Sequence, residues 1–256
     1  MLNRRMKTQE EHSYLIDIIY QIRRNHPTMS CRAMYYKINP KTLGRDKFEF
    51  LCREWEFTST RPINYHRTTN SNGVIRFDNL LVNLDLTGIN QAFVSDITYY
   101  EVQGKFYYLT FILDAYTRCI IGYSVSDRLT TEKTTLPALK MALKRQKSIP
   151  TGIIFHSDGG GQYYDKEFVK LTKKYKFKNS MCEHAYENGK AERINGIIKN
   201  NYLKHTQINN LSQLNKSVDR VVELYNNSRP HKALKYKTPQ IIEREQLNLF
   251  SKQSRG

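Results

Sequence analysis

From Ala92 to Val125 the chain passes through three β-branched and aromatic segments in close succession, Phe93 to Tyr100, Lys105 to Leu113 and Arg118 to Val125. Their connections are too short for parallel crossovers, so the strands must be antiparallel neighbours: Gln103-Gly104 reads as a tight hairpin and Ala115-Tyr116-Thr117 as a second turn. A sheet made this way needs helices to cover it, and the next segments supply them. Leu136, Leu139, Met141, Ala142 and Leu143 mark the apolar side of a helix with Pro137 in its first turns, where a missing N–H is tolerated. Ile153-Ile154-Phe155 is a short, fully apolar run of the kind buried between helices. Phe168, Val169, Leu171 and Tyr175 outline another helix, and Phe177 to Cys182 a fifth strand. Asn188 is placed to cap a helix from Gly189 to about Leu203, and a last long helix runs from Leu211 to Tyr225. The resulting order is β-β-β-α-β-α-β-α-α.

Ahead of this unit, Leu15, Ile18, Ile19 and Ile22 recur at helical spacing until Asn25-His26-Pro27. Ser30 can cap a helix to Lys37, and Asp46 to Arg53 forms a third. Three short basic helices suggest a small helix-turn-helix region; a helical packing arm without DNA contact fits the same stretch. Thr, Asn, Ser and Arg dominate residues 58–80, which reads as a linker or extended arm. The expected division is a helical region over 1–57, an arm over 58–90, a catalytic core over 91–205, and a basic C-terminal helix and tail over 206–256.

Lys and Arg number 41 against 24 Asp and Glu, a formal charge of +17 in 256 residues. Such a balance favours a polyanionic partner, and with no apolar run of membrane length that partner is nucleic acid rather than a bilayer. Residues 166–256 hold 19 basic and 8 acidic side chains, so the last third is expected to face DNA. Cys31, Cys52, Cys119 and Cys182 make no CxxC pair, which excludes the usual structural zinc pattern and fits a reducing, cytoplasmic setting, nucleoid-associated when DNA is bound.

In so basic a chain, three acids stand out. Asp96 lies in the first strand, Asp158 at the end of the fourth, and Glu192 one turn into a helix. Carboxylates from separate rigid elements that converge, with open positions for phosphate and water, are what two-metal phosphodiester chemistry needs, and oxygen ligands suit two Mg²⁺ or Mn²⁺. Glu192, Asn195 and Lys199 share one helix face, so Lys199 can hold a DNA phosphate near the acids. Lys190, Arg193 and Asn195 on this helix, and Arg229, His231 and Lys232 beyond the next one, are further expected DNA contacts. Asp114, ending the second strand, is a rival acid of similar appearance. Gly159-Gly160-Gly161 is not followed by Lys-Ser/Thr and is no Walker motif. His156, Ser157 and Asp158 are adjacent on a strand and cannot form a triad with one another, so His156 is expected to be packed or to flank the site. Tyr163 and Tyr164 could stack on exposed bases.

The element order is what a ribonuclease H-like α/β fold requires: a mixed sheet flanked by helices. Ser95-Asp96-Ile97-Thr98-Tyr99, Leu113 to Arg118, His156-Ser157-Asp158, Asn188 to Lys199 and Tyr225 to Leu234 together resemble the DDE transposases of bacterial insertion sequences, specifically the second-frame subunit of the third insertion-sequence family, whose core is like that of retroviral integrases. The resemblance implies that Asp96, Asp158 and Glu192 bind two Mg²⁺, that Lys199 is the family's basic position, and that the ends of a mobile element are cleaved by water and then joined to another phosphodiester by the freed 3′-hydroxyl. It also implies double-stranded DNA as partner (element ends and target), a homo-oligomer on DNA, and a separate first-frame helix-turn-helix protein for end recognition. Asp158 and Glu192 enclose 33 residues, a shorter interval than the family's usual one, and Gly159 and Gly161 stand where Gln and Ser are common there. A non-catalytic DNA-binding or regulatory relic and a structure-selective nuclease of the same fold remain alternative readings.

Overall fold

The computed structural model describes residues 2–59, 76–146 and 149–253. Its centre is a five-stranded sheet in the order β3-β2-β1-β4-β5, with β1 Ala92–Val102, β2 Lys105–Asp114, β3 Ile120–Ser126, β4 Ile154–Ser157 and β5 Lys178–Met181. The first three strands are antiparallel and β4 and β5 join parallel to β1, so the sheet is mixed. The hairpin turn falls at Gln103 (φ 50°) and Gly104 (φ 75°), both left-handed, which matches the twist of the strands on either side.

Alternation along β1 sorts the core into two layers. Ala92, Val94 and Val102 face α7 (Gly189–Asn201) and α8 (Leu211–Ser228), meeting Ile194, Ile198, Val218 and Tyr225. Phe93 faces the other way, toward α4 (Thr135–Arg145) and α6 (Lys166–Lys174), in a cluster with Ile112, Leu139, Phe155 and Phe168. The short α5 (Gly161–Tyr164) precedes α6. Gly122 of β3 lets α4 approach closely: a Cβ there would lie 2.2 Å from the Ala138 carbonyl oxygen.

At the N-terminus, α1 spans Leu2–Asn25, longer than its apolar periodicity predicts, because residues 2–8 are good helix formers without an apolar stripe. α2 (Cys31–Ile38) is capped by Ser30, whose Oγ accepts from the Ala33 N–H at 3.3 Å, and α3 covers Arg45–Glu54. These helices share a core of Ile19, Met34, Phe48 and Cys52. They are tied to the sheet unit by His26, whose Nδ1 lies 2.8 Å from Tyr202 Oη and Nε2 2.9 Å from Ser228 Oγ. Lys37 donates to the Ser228 carbonyl (2.9 Å) and hydroxyl (2.8 Å), and Tyr36 stacks on Tyr236 at 4.1 Å.

Residues 60–75 of the expected arm lie outside the described residues. Its later part lies along the sheet edge: the Leu80 N–H donates to Ser180 Oγ at 2.9 Å, and Leu81 and Leu86 pack on the α7/α8 layer. Besides the single turn of α5, one long helix adds to the expected elements. Beyond the expected final helix, α9 spans Pro239–Gln253, with Pro at its first position, Thr238 Oγ1 accepting from the Ile241 N–H at 3.3 Å, and Glu243 paired with Arg145 of α4. Among the described residues no helix is long and apolar enough to cross a membrane.

Two outcomes follow from this packing. Gly122→Ala drives a methyl into the α4 backbone and should cost about 3 kcal/mol, seen as a fall of roughly 6–12 °C in Tm; an unchanged melt would show that α4 does not press on β3 as described. His26 is buried and kept neutral, its pKa lowered to about 3 chiefly by burial and then by Lys37 and Arg229. Its contribution to stability is therefore complete above the free imidazole value of about 6.5 and is lost as pH falls toward 3, by up to about 1.4 kcal/mol per unit. Chemical denaturation at pH 7 and pH 5 should show a smaller loss in His26→Asn than in the unsubstituted protein.

Candidate active site

Parallel pairing fixes the first two acids. β4 joins β1 in the register Ala92 to Ile154, Phe93 to Phe155 and Val94 to His156, after which β4 ends and the chain turns at Asp158. Continued by two residues, that register sets Asp158, just past the end of β4, level with Asp96 in the middle of β1, and the charge of Asp158 acts on Asp96. Asp96 faces α7. There Asn195 Nδ2 donates to Asp96 Oδ2 at 2.7 Å, and Lys199 Nζ donates to Thr98 Oγ1 at 2.7 Å and to the Tyr99 carbonyl at 3.3 Å. Asp158 is held by its own turn, with Oδ1 accepting from the Gly160 N–H at 3.1 Å.

The electrostatics reflect this crowding. The Asp96 carboxyl is pushed up to about 7 by burial, and next by the charges of Asp158 and Glu192, against which the Asn195 hydrogen bond works. Burial also raises Asp158. Glu192 is exposed on the first turn of α7 and reaches Asp96 through its field. Among the described residues no three His, Cys, Asp or Glu side chains converge closely enough, as they stand, to hold a metal ion. What does come together is a pair of half-buried carboxylates with a third acid nearby on a long, exposed side chain. Like charges so placed are relieved only by a proton or a cation, and the donor set is all oxygen, which suits Mg²⁺ or Mn²⁺.

Other expectations met different fates. Asp114 is a structural acid: Oδ1 accepts from the Tyr116 and Thr117 N–H groups at 3.1 and 2.8 Å and Oδ2 from the Asn90 N–H at 2.7 Å. Asn188 does not cap α7 with its side chain; Nδ2 instead donates to the Ser95 carbonyl at 2.9 Å, pinning the start of α7 to the strand that carries Asp96. Asn195 is buried on Asp96 rather than turned outward to DNA. Tyr163 is no base-stacking platform, because it is buried with its hydroxyl 2.8 Å from Ser95 Oγ. Tyr164 lies under the Arg76 guanidinium at 4.3 Å. His156 is fully buried with Nδ1 2.9 Å from Ser180 Oγ.

Arg193 and Lys232 are exposed, and Lys190 is half-buried. Arg229 lies over the Tyr202 ring at 5.6 Å, and His231 packs edge-on against Tyr225 at 4.5 Å, so both serve packing in this structure. The motif around them clamps the fold: Asn226 Nδ2 donates to the Ile120 carbonyl and its Oδ1 accepts from the Ile120 N–H, each at 2.9 Å. Spacing alone could not reveal that role, since a polar run after a helix looks the same whether it faces solvent or a strand end.

A family model described as "Integrase core domain" matches residues 87–186, and a second of the same description matches residues 173–239. The chain is 34% identical over 197 residues to the insertion element IS600 uncharacterized 31 kDa protein of Shigella sonnei, covering 75% of this chain and 72% of that one. It is 31% identical over 168 residues to Transposase InsF for insertion sequence IS3A of Escherichia coli (strain K12), covering 64% of this chain and 56% of InsF, little more than half of that relative's length. Among solved structures it is similar to the HTLV-2 integrase catalytic core domain in complex with magnesium, with a TM-score of 0.50 at 20% identity over 61% of this chain and 98% of that one. A chain of the simian T-cell lymphotropic virus intasome gives a TM-score of 0.53 at 16% identity over 69% of this chain and 61% of that one. At these identities the likeness is one of fold, and it is the integrase-core, ribonuclease H-like arrangement expected from the element order.

After the Ile97 backbone N–H, Asn195 is the donor that holds down the pKa of Asp96. In Asn195→Ala the Asp96 carboxyl should titrate above its value of about 7 in metal-free protein, by up to about one unit, followed by carboxyl carbon NMR; a downward or absent shift would remove Asn195 from that role.

Proposed function

The chain belongs to the integrase-core transposases of bacterial insertion elements, the IS3 family, and from that premise we propose that it cuts and joins DNA strands at the ends of an insertion sequence. The observation that carries the reading is the β1/β4 register, which when extended by two residues brings Asp158 within electrostatic reach of Asp96, beside a helix that carries Glu192 and Lys199. Two Mg²⁺ or Mn²⁺ held by Asp96, Asp158 and Glu192 would supply the Lewis acidity that activates the attacking oxygen and stabilises the leaving one.

The chain's own groups divide the remaining work. Asn195 fixes the rotamer of Asp96, and the Gly160 N–H fixes that of Asp158, so two carboxylates are preorganised. Glu192, free on the surface of α7, closes on the pair when their charge is neutralised. Lys199 is held by two neutral acceptors on β1 and can exchange them for a phosphate oxygen at little cost, because a charge-assisted bond is the stronger one. Substrate and partners follow from the same reading: double-stranded DNA at element ends and target, a homo-oligomer on that DNA, and a separate first-frame protein for end recognition. Water would attack at the element end, and the freed 3′-hydroxyl would attack the second phosphodiester without a covalent protein intermediate.

Purified protein with labelled element ends and Mg²⁺ should give nicked and joined strands, and Asp158→Asn should reduce the rate at least about a thousandfold, since a metal ligand is lost from the step that needs it. Full activity in that variant would refute the assignment. Metal-independent binding by the unsubstituted protein, with no cleavage even alongside its first-frame partner, would instead favour the DNA-binding relic.

A further inference from the structure

A cleft of about 530 Å³ opens between the N-terminal helices and the far end of α7. Pro27 and Thr28 form one wall, and Lys204 and His205, just past α7, form the other. His26, just before the first wall, is bonded to Tyr202, two residues before Lys204: His26 Nδ1 lies 2.8 Å from Tyr202 Oη, with both side chains buried. The walls are therefore set at a fixed separation by a buried polar contact, and Arg23 stiffens the first wall by donating to the Pro27 carbonyl at 2.7 Å and to the Phe57 carbonyl.

Two of the lining side chains, Arg23 and Lys204, are cationic against one carboxylate, Glu56; His205 adjoins Lys204, and Lys204 is exposed with no ion pair among the described residues. Thr28 Oγ1 is buried there without a hydrogen-bond partner among the described residues. The cleft lies within electrostatic reach of the neighbourhood of the acids: Lys204 acts on Lys199, which also feels Asp96.

We propose that this cleft is a second anchoring site for the DNA backbone, in which Lys204 and His205 hold a phosphate of the strand whose reacting phosphodiester lies at Asp96 and Asp158. α7 carries Glu192 on its first turn and ends at Asn201, roughly 14 Å further along at the helical rise, and Lys204 lies in the 3-10 turn just beyond, a span of about four to five base pairs of duplex. The anchored phosphate accordingly sits about five base pairs inside the element end. The N-terminal helices thus contribute to DNA binding as one wall of a composite site rather than only through a recognition helix. The proposal rests on the DNA-transposition reading above, and the test separates the two.

Binding of the full-length protein to a fluorescent duplex of the element end would be measured without Mg²⁺ over a range of salt, using Lys204→Glu, Lys204→Ala and, as a charge-matched control on the opposite side of the sheet, Lys140→Glu. Lys204→Glu should weaken binding about tenfold, and Lys204→Ala should lower the slope of log K against log salt by about one, with Lys140→Glu nearly neutral. A neutral methylphosphonate placed about five base pairs from the end should weaken the unsubstituted protein and leave Lys204→Ala unaffected. Lys204 is exposed, so matching Tm values will show that the variants fold. Equal behaviour of the Lys204 and Lys140 variants, or no position-dependent methylphosphonate effect, would overturn the cleft assignment while leaving cleavage by the unsubstituted protein, and its loss in Asp158→Asn, to stand. Absence of any DNA binding would overturn both.

Discussion

The parallel seam between β1 and β4 is the contact on which the site depends. It is short, three paired positions, yet it converts two acids 62 residues apart in sequence into neighbours. Everything else about the site supports that seam. Phe93 and Phe155 pack beneath it with Phe168, while Val94 sits above it under α7. A slip of one residue would send Asp96 to the α4 face and bury an unpaired carboxylate among aromatic rings, which is why apolar alternation on both sides of β1 enforces the register.

Helix α7 is the second constraint. It is fastened to β1 at three successive levels, by Asn188 to the Ser95 carbonyl, Asn195 to Asp96, and Lys199 to Thr98 and Tyr99. The helix therefore follows the strand as one body, and Glu192 is carried at a set height above the aspartates although its side chain is free. Beyond the helix, Tyr202 ties the N-terminal helices to the end of α7 through His26, beside the cleft lined by Lys204.

Much of this was legible from residue types. The five strands and their covering helices follow from β-branched runs, turn residues and helical periodicity, because each of these acts over a few residues. The identity of the three acids was legible because carboxylates are conspicuous in a chain of charge +17. What was misread shares one physical cause: polar side chains look alike whether they meet solvent or a distant strand. Asn188, Asn195, Tyr163 and His231 were expected to cap a helix or touch DNA, and each is committed to the fold instead. The start of α1 and the whole of α9 escaped notice because neither end of the chain carries a regular apolar stripe.

The sequence by itself determined the local elements and the family, and marked three acids as candidates for chemistry, since propensity, turn geometry and side-chain type are properties of short segments. The tertiary structure alone decided that Asp158 comes within reach of Asp96, that Asn195 is bonded to that aspartate, and that His26 brings the N-terminal helices against the end of α7. These are contacts between residues 62 to 176 positions apart. Their existence depends on loop closure and shared burial across the whole domain, and no window of sequence carries that information.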